Sequence, residues 1–193
     1  MNNDDDRLIA LIRERANNPF TRTDVEASSM SAARQSATAE MIEATEASLG
    51  YSLHPFLKRV YMEVANGGFG PGYGLLSLTT PYVGSDQRSL SAEVHEDGWP
   101  TWLLPLWNWG DATWSCMDAA SADGTIVTHD DVDGPTVTDF TIRSWLEAWA
   151  KGVDMWKEMY EDRDATIINP FTKKPVHTKV HGVAKGKGWR PSF

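Results

Sequence analysis

Acidic and imidazole side chains crowd one stretch of the chain: Asp118, Asp123, His129, Asp130, Asp131 and Asp133 fall within sixteen residues. Carboxylates at that density can hold a hard cation or face a basic partner. A calcium loop of the helical-hand kind wants ligands at fixed odd positions, a glycine at the sixth and a carboxylate at the twelfth. The order Asp123-Gly-Thr-Ile-Val does not supply it, so the stretch reads as a solvated acidic loop. His177 and His181, four apart, could share a helix face and hold zinc, but Pro175 precedes them, Gly182 follows, and no third ligand is close in the sequence. Gly67, Gly68, Gly70, Gly72 and Gly74 suggest a phosphate cradle; such loops precede a helix, whereas this run follows one and leads into the strand-like Tyr73 to Leu78. The single Cys116 cannot form an internal disulfide and reads as a small buried hydrophobe. No nucleophile elbow, zinc-protease motif or cysteine pair is present, and no two carboxylates sit in contexts that would split their pKa values. The chain reads as a non-enzyme, with no metal and no cofactor.

The element that must carry these residues is the segment 98–118, which holds five of the nine tryptophans: Trp99, Trp102, Trp107, Trp109 and Trp114. Each large ring needs roughly 150 to 250 Å² of covering surface, so the segment cannot stand alone in water. It divides into two apolar strands, Trp102 to Trp109 and Thr113 to Asp118, with a tight turn at Gly110-Asp111. Asp123-Gly124 signals another hairpin before a short strand, Thr125 to Thr128.

Helices precede this sheet. Asp4 to Asp6 suit a helix start, and Asn17-Asn18-Pro19 stops the helix that Leu8, Ile9, Leu11 and Ile12 face inward. A second runs from Thr38 to Leu49 and ends at Gly50. A third begins near Pro55, with Phe56, Val60 and Val64 on its apolar side, and stops at Asn66-Gly67-Gly68. Ser89 to His95 reads as a short helix or strand. Thr138 to Tyr160 predicts a long helix capped by Thr141, with Trp145, Leu146, Trp149, Val153 and Trp156 recurring at spacings of three and four. Asn-Pro-Phe-Thr occurs at 18–21 and again at 169–172, where Asn-Pro is turn material.

Length and charge bound the rest. At 193 residues, 41% apolar and 23% charged, the chain suits one well-buried core of a soluble protein. Its start is acidic where a secretory signal is basic, and no apolar run is long enough to span a bilayer, so a cytoplasmic protein without a membrane partner is expected. Residues 1–164 carry 12 basic and all 27 acidic side chains, a charge of −15, while residues 165–193 carry six basic and no acidic ones. An acidic body repels nucleic acid and attracts basic protein surfaces. Residues 168–193 show neither helical nor strand periodicity, and predict a flexible basic tail whose removal leaves a folded domain.

From Glu46 to Leu78 the chain sets a helix beginning near Leu53-His54-Pro55, then Asn66-Gly67-Gly68, then a glycine-rich strand. The Trp107 to Asp118 segment and a closing amphipathic helix follow. This arrangement resembles the SUKH superfamily over roughly residues 40–155. The proline after Leu53 is displaced by one position from the family's usual Leu-Pro, and Gly110-Asp111 is followed by Ala112-Thr113 rather than a second Gly-Asp. The resemblance implies a SUKH-like domain at 38–164, between an N-terminal helix and polar loop at 1–37 and the basic tail at 165–193. The expected fold is α+β: helices first, a mostly antiparallel sheet of five or six strands, and a C-terminal helix packed on it.

By the same resemblance, the function implied is a non-catalytic binding module that neutralises a partner toxin by contact. The alternative is a housekeeping regulatory protein of the same fold. For a basic toxin domain as partner, the acids nearest the hairpin turns, Asp111, Asp123, Asp130 and Asp131, are the expected contact residues.

Overall fold

The structure is a computed structural model that describes residues 3–18, 35–81, 87–96, 98–100, 102–130 and 134–189. Helix α1 (Asn3–Asn17) opens with Asp4, Asp5 and Asp6 at the positive end of its dipole and buries Ile9, Ile12 and Ala16. Helix α2 (Ala39–Leu49) is capped by the Thr38 hydroxyl, which accepts from the Met41 N–H, and closes on Gly50 at φ 77°. Helix α3 (Pro55–Glu63) has proline in its first turn, and the His54 ring accepts from the Phe56 N–H at 3.3 Å. A single turn, α4 (Leu90–Glu93), precedes the sheet. Residues 1–37, separate in the sequence reading, contribute Ile9, Ile12, Ala16 and Ala37 to the same core as the rest. Arg59 ties α3 to Asp6 of α1 at 2.8 Å, and Arg13 donates twice to the Glu63 carbonyl.

The sheet has five strands, all paired antiparallel, in the order β1 (Leu103–Gly110), β2 (Thr113–Asp118), β3 (Thr125–His129), β4 (Thr136–Thr141), β7 (Lys187–Gly188). The fold is α+β as expected. The tight turn lies one residue later than the sequence reading placed it: Gly110 pairs with Thr113, and Asp111 and Ala112, at φ 48° and 59°, make the reversal. Both central residues adopt positive φ, as the hairpin turn that matches strand twist requires. Beyond β1 the glycine-rich segment closes the edge, with Tyr73 N–H donating to the Asn108 carbonyl and Leu76 N–H to that of Leu106. It makes one isolated bridge, Leu75 to Trp107, rather than the full strand its sequence suggests.

The long helix expected from Thr138 to Tyr160 is three elements. Thr136–Thr141 is strand β4, and Thr141 both ends it and caps α5 (Ile142–Ala150) in a reciprocal box with Ser144. Ile142, Trp145, Leu146 and Trp149 face inward as the period requires. Gly152 at φ 85° then breaks the helix, so Val153 is exposed and a short α6 (Met155–Met159) starts afresh from an Asp154 cap. The α5 face lies on the sheet, where Trp145 stacks on Trp107 with ring centres 4.0 Å apart.

The flexible tail is corrected most. Strand β5 (Tyr160–Ile168) and strand β6 (Pro175–Ala184) form a two-stranded ribbon. Its tip is the second Asn-Pro-Phe-Thr: the Asn169 side-chain oxygen accepts from the N–H groups of Phe171 and Thr172, both at 2.9 Å. Lys187–Gly188 then pairs with Thr136 and Val137, and the Trp189 indole N–H donates to Asp118 at 2.9 Å. Periodicity missed this because a two-stranded ribbon exposed on both sides has no need to alternate apolar with polar. Removing residues 168–193 therefore takes a strand off the sheet and strips the buried Asp118 carboxylate of a donor. We expect that truncation to cost about 1–3 kcal/mol, read as a lower urea midpoint. An unchanged midpoint would show that β7 contributes nothing.

Candidate partner-binding surface

The antiparallel order decides where the acidic residues lie. Chain direction alternates from β1 to β4, so the β1–β2 turn and the β3–β4 connection share one end of the sheet, as the pairing of Trp114 with His129 confirms. Asp111 and Asp130 are therefore neighbours in the fold at that end. The β2–β3 turn with Asp123 is at the opposite end, about 20 Å away along a strand at 3.3 Å per residue. Asp131 lies outside the described residues. The structure thus divides the set: Asp111 and Asp130 go together, and Asp123 does not join them.

Their surroundings differ. Asp111 is exposed on the reversal itself, held at positive φ by turn geometry. Asp130 is half-buried, and its charge reaches Tyr160, whose phenol is pushed well above its ordinary pKa first by burial and then by the charges of Cys116 and Asp130. Aromatic rings back this end of the sheet. Trp99 meets Trp114 and His129 edge-on, at 5.6 and 5.2 Å, while Trp109 packs edge-on against Trp156, which stacks on Tyr160. The Trp109 indole N–H is fixed by the Ser115 hydroxyl at 2.8 Å. An acidic rim over rigid, half-buried aromatics is suited to contact with another protein.

At the far end Asp123 sits beside His54. Burial lowers the pKa of that imidazole, while the Ala122 carbonyl, 3.2 Å from Nε2, and the charge of Asp123 pull the other way. The His54 ring caps α3, while Asp123 itself is exposed.

The remaining candidates from the sequence are held in other contacts. Cys116 is fully buried, and burial, with the charge of Glu93, drives its thiol pKa up, away from nucleophilic use. His177 and His181 lie on β6, where four residues span about 13 Å, too far to share an ion. His177 instead bonds Thr166 at 2.8 Å, and His181 pairs with Asp162 at 3.0 Å. Among the described residues no three His, Cys, Asp or Glu side chains come together as metal ligands, and no helix is long and apolar enough to cross a membrane.

The SMI1 / KNR4 family (SUKH-1) model matches residues 36–148, more than half of the chain. The chain belongs to this SUKH-1 family. No curated protein and no solved structure matches it. The matched span covers α2, α3, α4, β1 to β4 and most of α5, including both ends of the sheet. SUKH-1 membership supports a module of the immunity or regulatory type, of a family whose members are generally non-catalytic binders of protein. Helix α1, the β5–β6 ribbon and β7 lie outside the SUKH-1 span. The ribbon is the surface that sequence reasoning missed. Its only signal was Asn169-Pro170 flanked by Ile167-Ile168 and Val176, a turn between two β-branched pieces.

Proposed function

We propose that this SUKH-1 chain is a non-catalytic immunity module that neutralises a basic protein toxin by direct contact, through the sheet end that carries Asp111 and Asp130. The observation behind this reading is the shared placement of those two acids, over a backing of tryptophans, on a chain of net charge −9. A basic toxin domain approaching that end gains from long-range attraction, which accelerates encounter and fixes its register more than it adds affinity. Asp131 follows Asp130 directly in the sequence and is tested together with it. Action in the cytoplasm goes with this role, since a toxin delivered to or made in a cell is blocked there.

The partner is obtained by pull-down from the native cell with mass spectrometry, and its binding is timed at two salt concentrations. The combined Asp111→Asn, Asp130→Asn, Asp131→Asn variant is expected to lose about tenfold in on-rate at low salt and to match the parent at high salt. Asp123→Asn, at the opposite end, is expected to leave the on-rate unchanged. A salt-independent on-rate, or an equal effect of Asp123→Asn, would overturn this surface. Recovery of a regulatory complex with no toxin would favour the housekeeping alternative.

A further inference from the structure

One imidazole holds two elements at once. The His54 Nδ1 accepts from the Phe56 N–H at 3.3 Å, in the first turn of α3, and its Nε2 lies 3.2 Å from the Ala122 carbonyl oxygen, in the β2–β3 turn. A carbonyl can only accept, so Nε2 must carry the hydrogen; a backbone N–H can only donate, so Nδ1 must be bare. Only the neutral Nε2–H form of the ring satisfies both partners. The ring also lies against Gly124, where an added Cβ would come within 3.3 Å of Cδ2. The Gly124 carbonyl in turn accepts the Ile142 N–H that starts α5, at 2.7 Å. The β2–β3 turn is thus joined to the starts of both α3 and α5 at this one junction.

A proton on Nδ1 changes the two ends of the ring in opposite ways. At α3 it sets one N–H against another and puts positive charge at the positive end of the helix dipole. At the turn the imidazolium gains, because its Nε2–H bond to Ala122 becomes charge-assisted and Asp123 attracts it. The other charged groups around the junction are engaged with one another. Glu46 of α2 and Lys58 of α3 pair at 2.5 Å, and Arg143 of α5, over the Phe56 ring, pairs with Asp5 of α1. Burial keeps the pKa of the ring below its ordinary value, against the pull of Ala122 and Asp123. The unfolded chain therefore takes up the proton first. What His54 adds to stability is complete above its ordinary pKa and is lost as pH falls through the lower, folded value.

We infer that His54 is a pH-sensitive clasp: neutral, it ties the start of α3 to the β2–β3 turn; protonated, it stays with Ala122 and Asp123 and lets go of α3. The clasp depends on the fold alone and holds whether or not the chain neutralises a toxin.

The full-length chain is followed by NMR from about pH 7.5 to about pH 5, the range in which imidazoles change charge. At the upper end the two ring nitrogen shifts of His54 should report the Nε2–H form, and its pKa should lie below the ordinary histidine value. As the ring titrates, the Phe56 amide shift should follow it and the protection of that amide against hydrogen exchange should fall by about fivefold, the equivalent of a lost helix cap. The Gly124 amide in the turn should keep its protection. His54→Asn supplies a cap at every pH. Its Phe56 protection should stay constant over the same range, and its urea midpoint should fall less with acid than the parent's. Asp123→Asn removes part of the pull on the proton and should move the His54 titration to lower pH. An Nδ1–H ring at neutral pH would overturn the clasp. So would a His54 pKa at or above its ordinary value, a Phe56 amide indifferent to the titration, or a His54→Asn chain with the parent's dependence on pH.

Discussion

Trp145→Ala is expected to lower stability by about 3–5 kcal/mol, the range for truncating a large buried aromatic. Trp145 is fully buried on α5, stacked on Trp107 of β1 at 4.0 Å, with its indole N–H directed at the Met159 sulfur at 3.2 Å. Its loss opens a cavity where helix meets sheet and unseats α6 at the same time. Since a domain of this size is stable by only about 5–15 kcal/mol, the variant should show a strongly reduced urea midpoint. Trp156→Ala provides the comparison: that ring is half-buried near the ribbon root, so a smaller loss is expected. Equal midpoints for Trp145→Ala and the parent would mean that the stack on Trp107 contributes nothing.

Gly72→Ala is the second large effect, and it comes from backbone rather than packing. Gly72 has φ 61°, and a Cβ there would lie 2.3 Å from the Asn108 carbonyl oxygen, which already accepts the Tyr73 N–H. A backbone oxygen cannot swing aside as a flexible side chain can. The glycine-rich segment would have to lift from β1, and the left-handed conformation adds its own strain, so roughly 2–4 kcal/mol is expected. Gly50→Ala separates the two terms. It has the same kind of φ with nothing within 4 Å, and should cost only about 1 kcal/mol. Equal losses for the two variants would show that conformation alone explains Gly72 and that the close approach to β1 is unimportant.

Much of the fold was legible where a local rule coincides with a tertiary need. Thr38 and Thr141 satisfy orphan N–H groups at helix starts, Gly50 closes α2 in the left-handed conformation, and Pro55 opens α3 where a missing N–H leaves nothing unpaired. The β1–β2 hairpin was legible because five tryptophans leave the segment no option but burial. Legibility failed where one sequence feature serves two elements. Thr138 and Phe140 fit the first turn of a helical period, yet belong to β4, because β3 needs a partner on its open edge and only long-range pairing decides that. Gly152 lies within an unbroken apolar period, but its positive φ ends the helix. For the candidate surface, residue type pointed to the acids. Only the strand order showed that Asp111 and Asp130 lie together and Asp123 apart, because ends of a sheet are a property of pairing, not of spacing. The ribbon was missed since its exposed apolar residues have no burial period to reveal them.

The fifth strand is two residues long and arrives nearly fifty positions after the strand it pairs with. During synthesis β1 to β4 leave the ribosome first, and β4 then presents a bare row of N–H and C=O groups until Lys187 and Gly188 emerge. For that interval the nascent chain carries an unsatisfied sheet edge, the feature by which partly made β-proteins recruit one another into aggregates. Crowded translation on polysomes sets many such edges close together. Expression yield, more than the equilibrium stability of the finished protein, is where a defect in residues 185–189 will be felt.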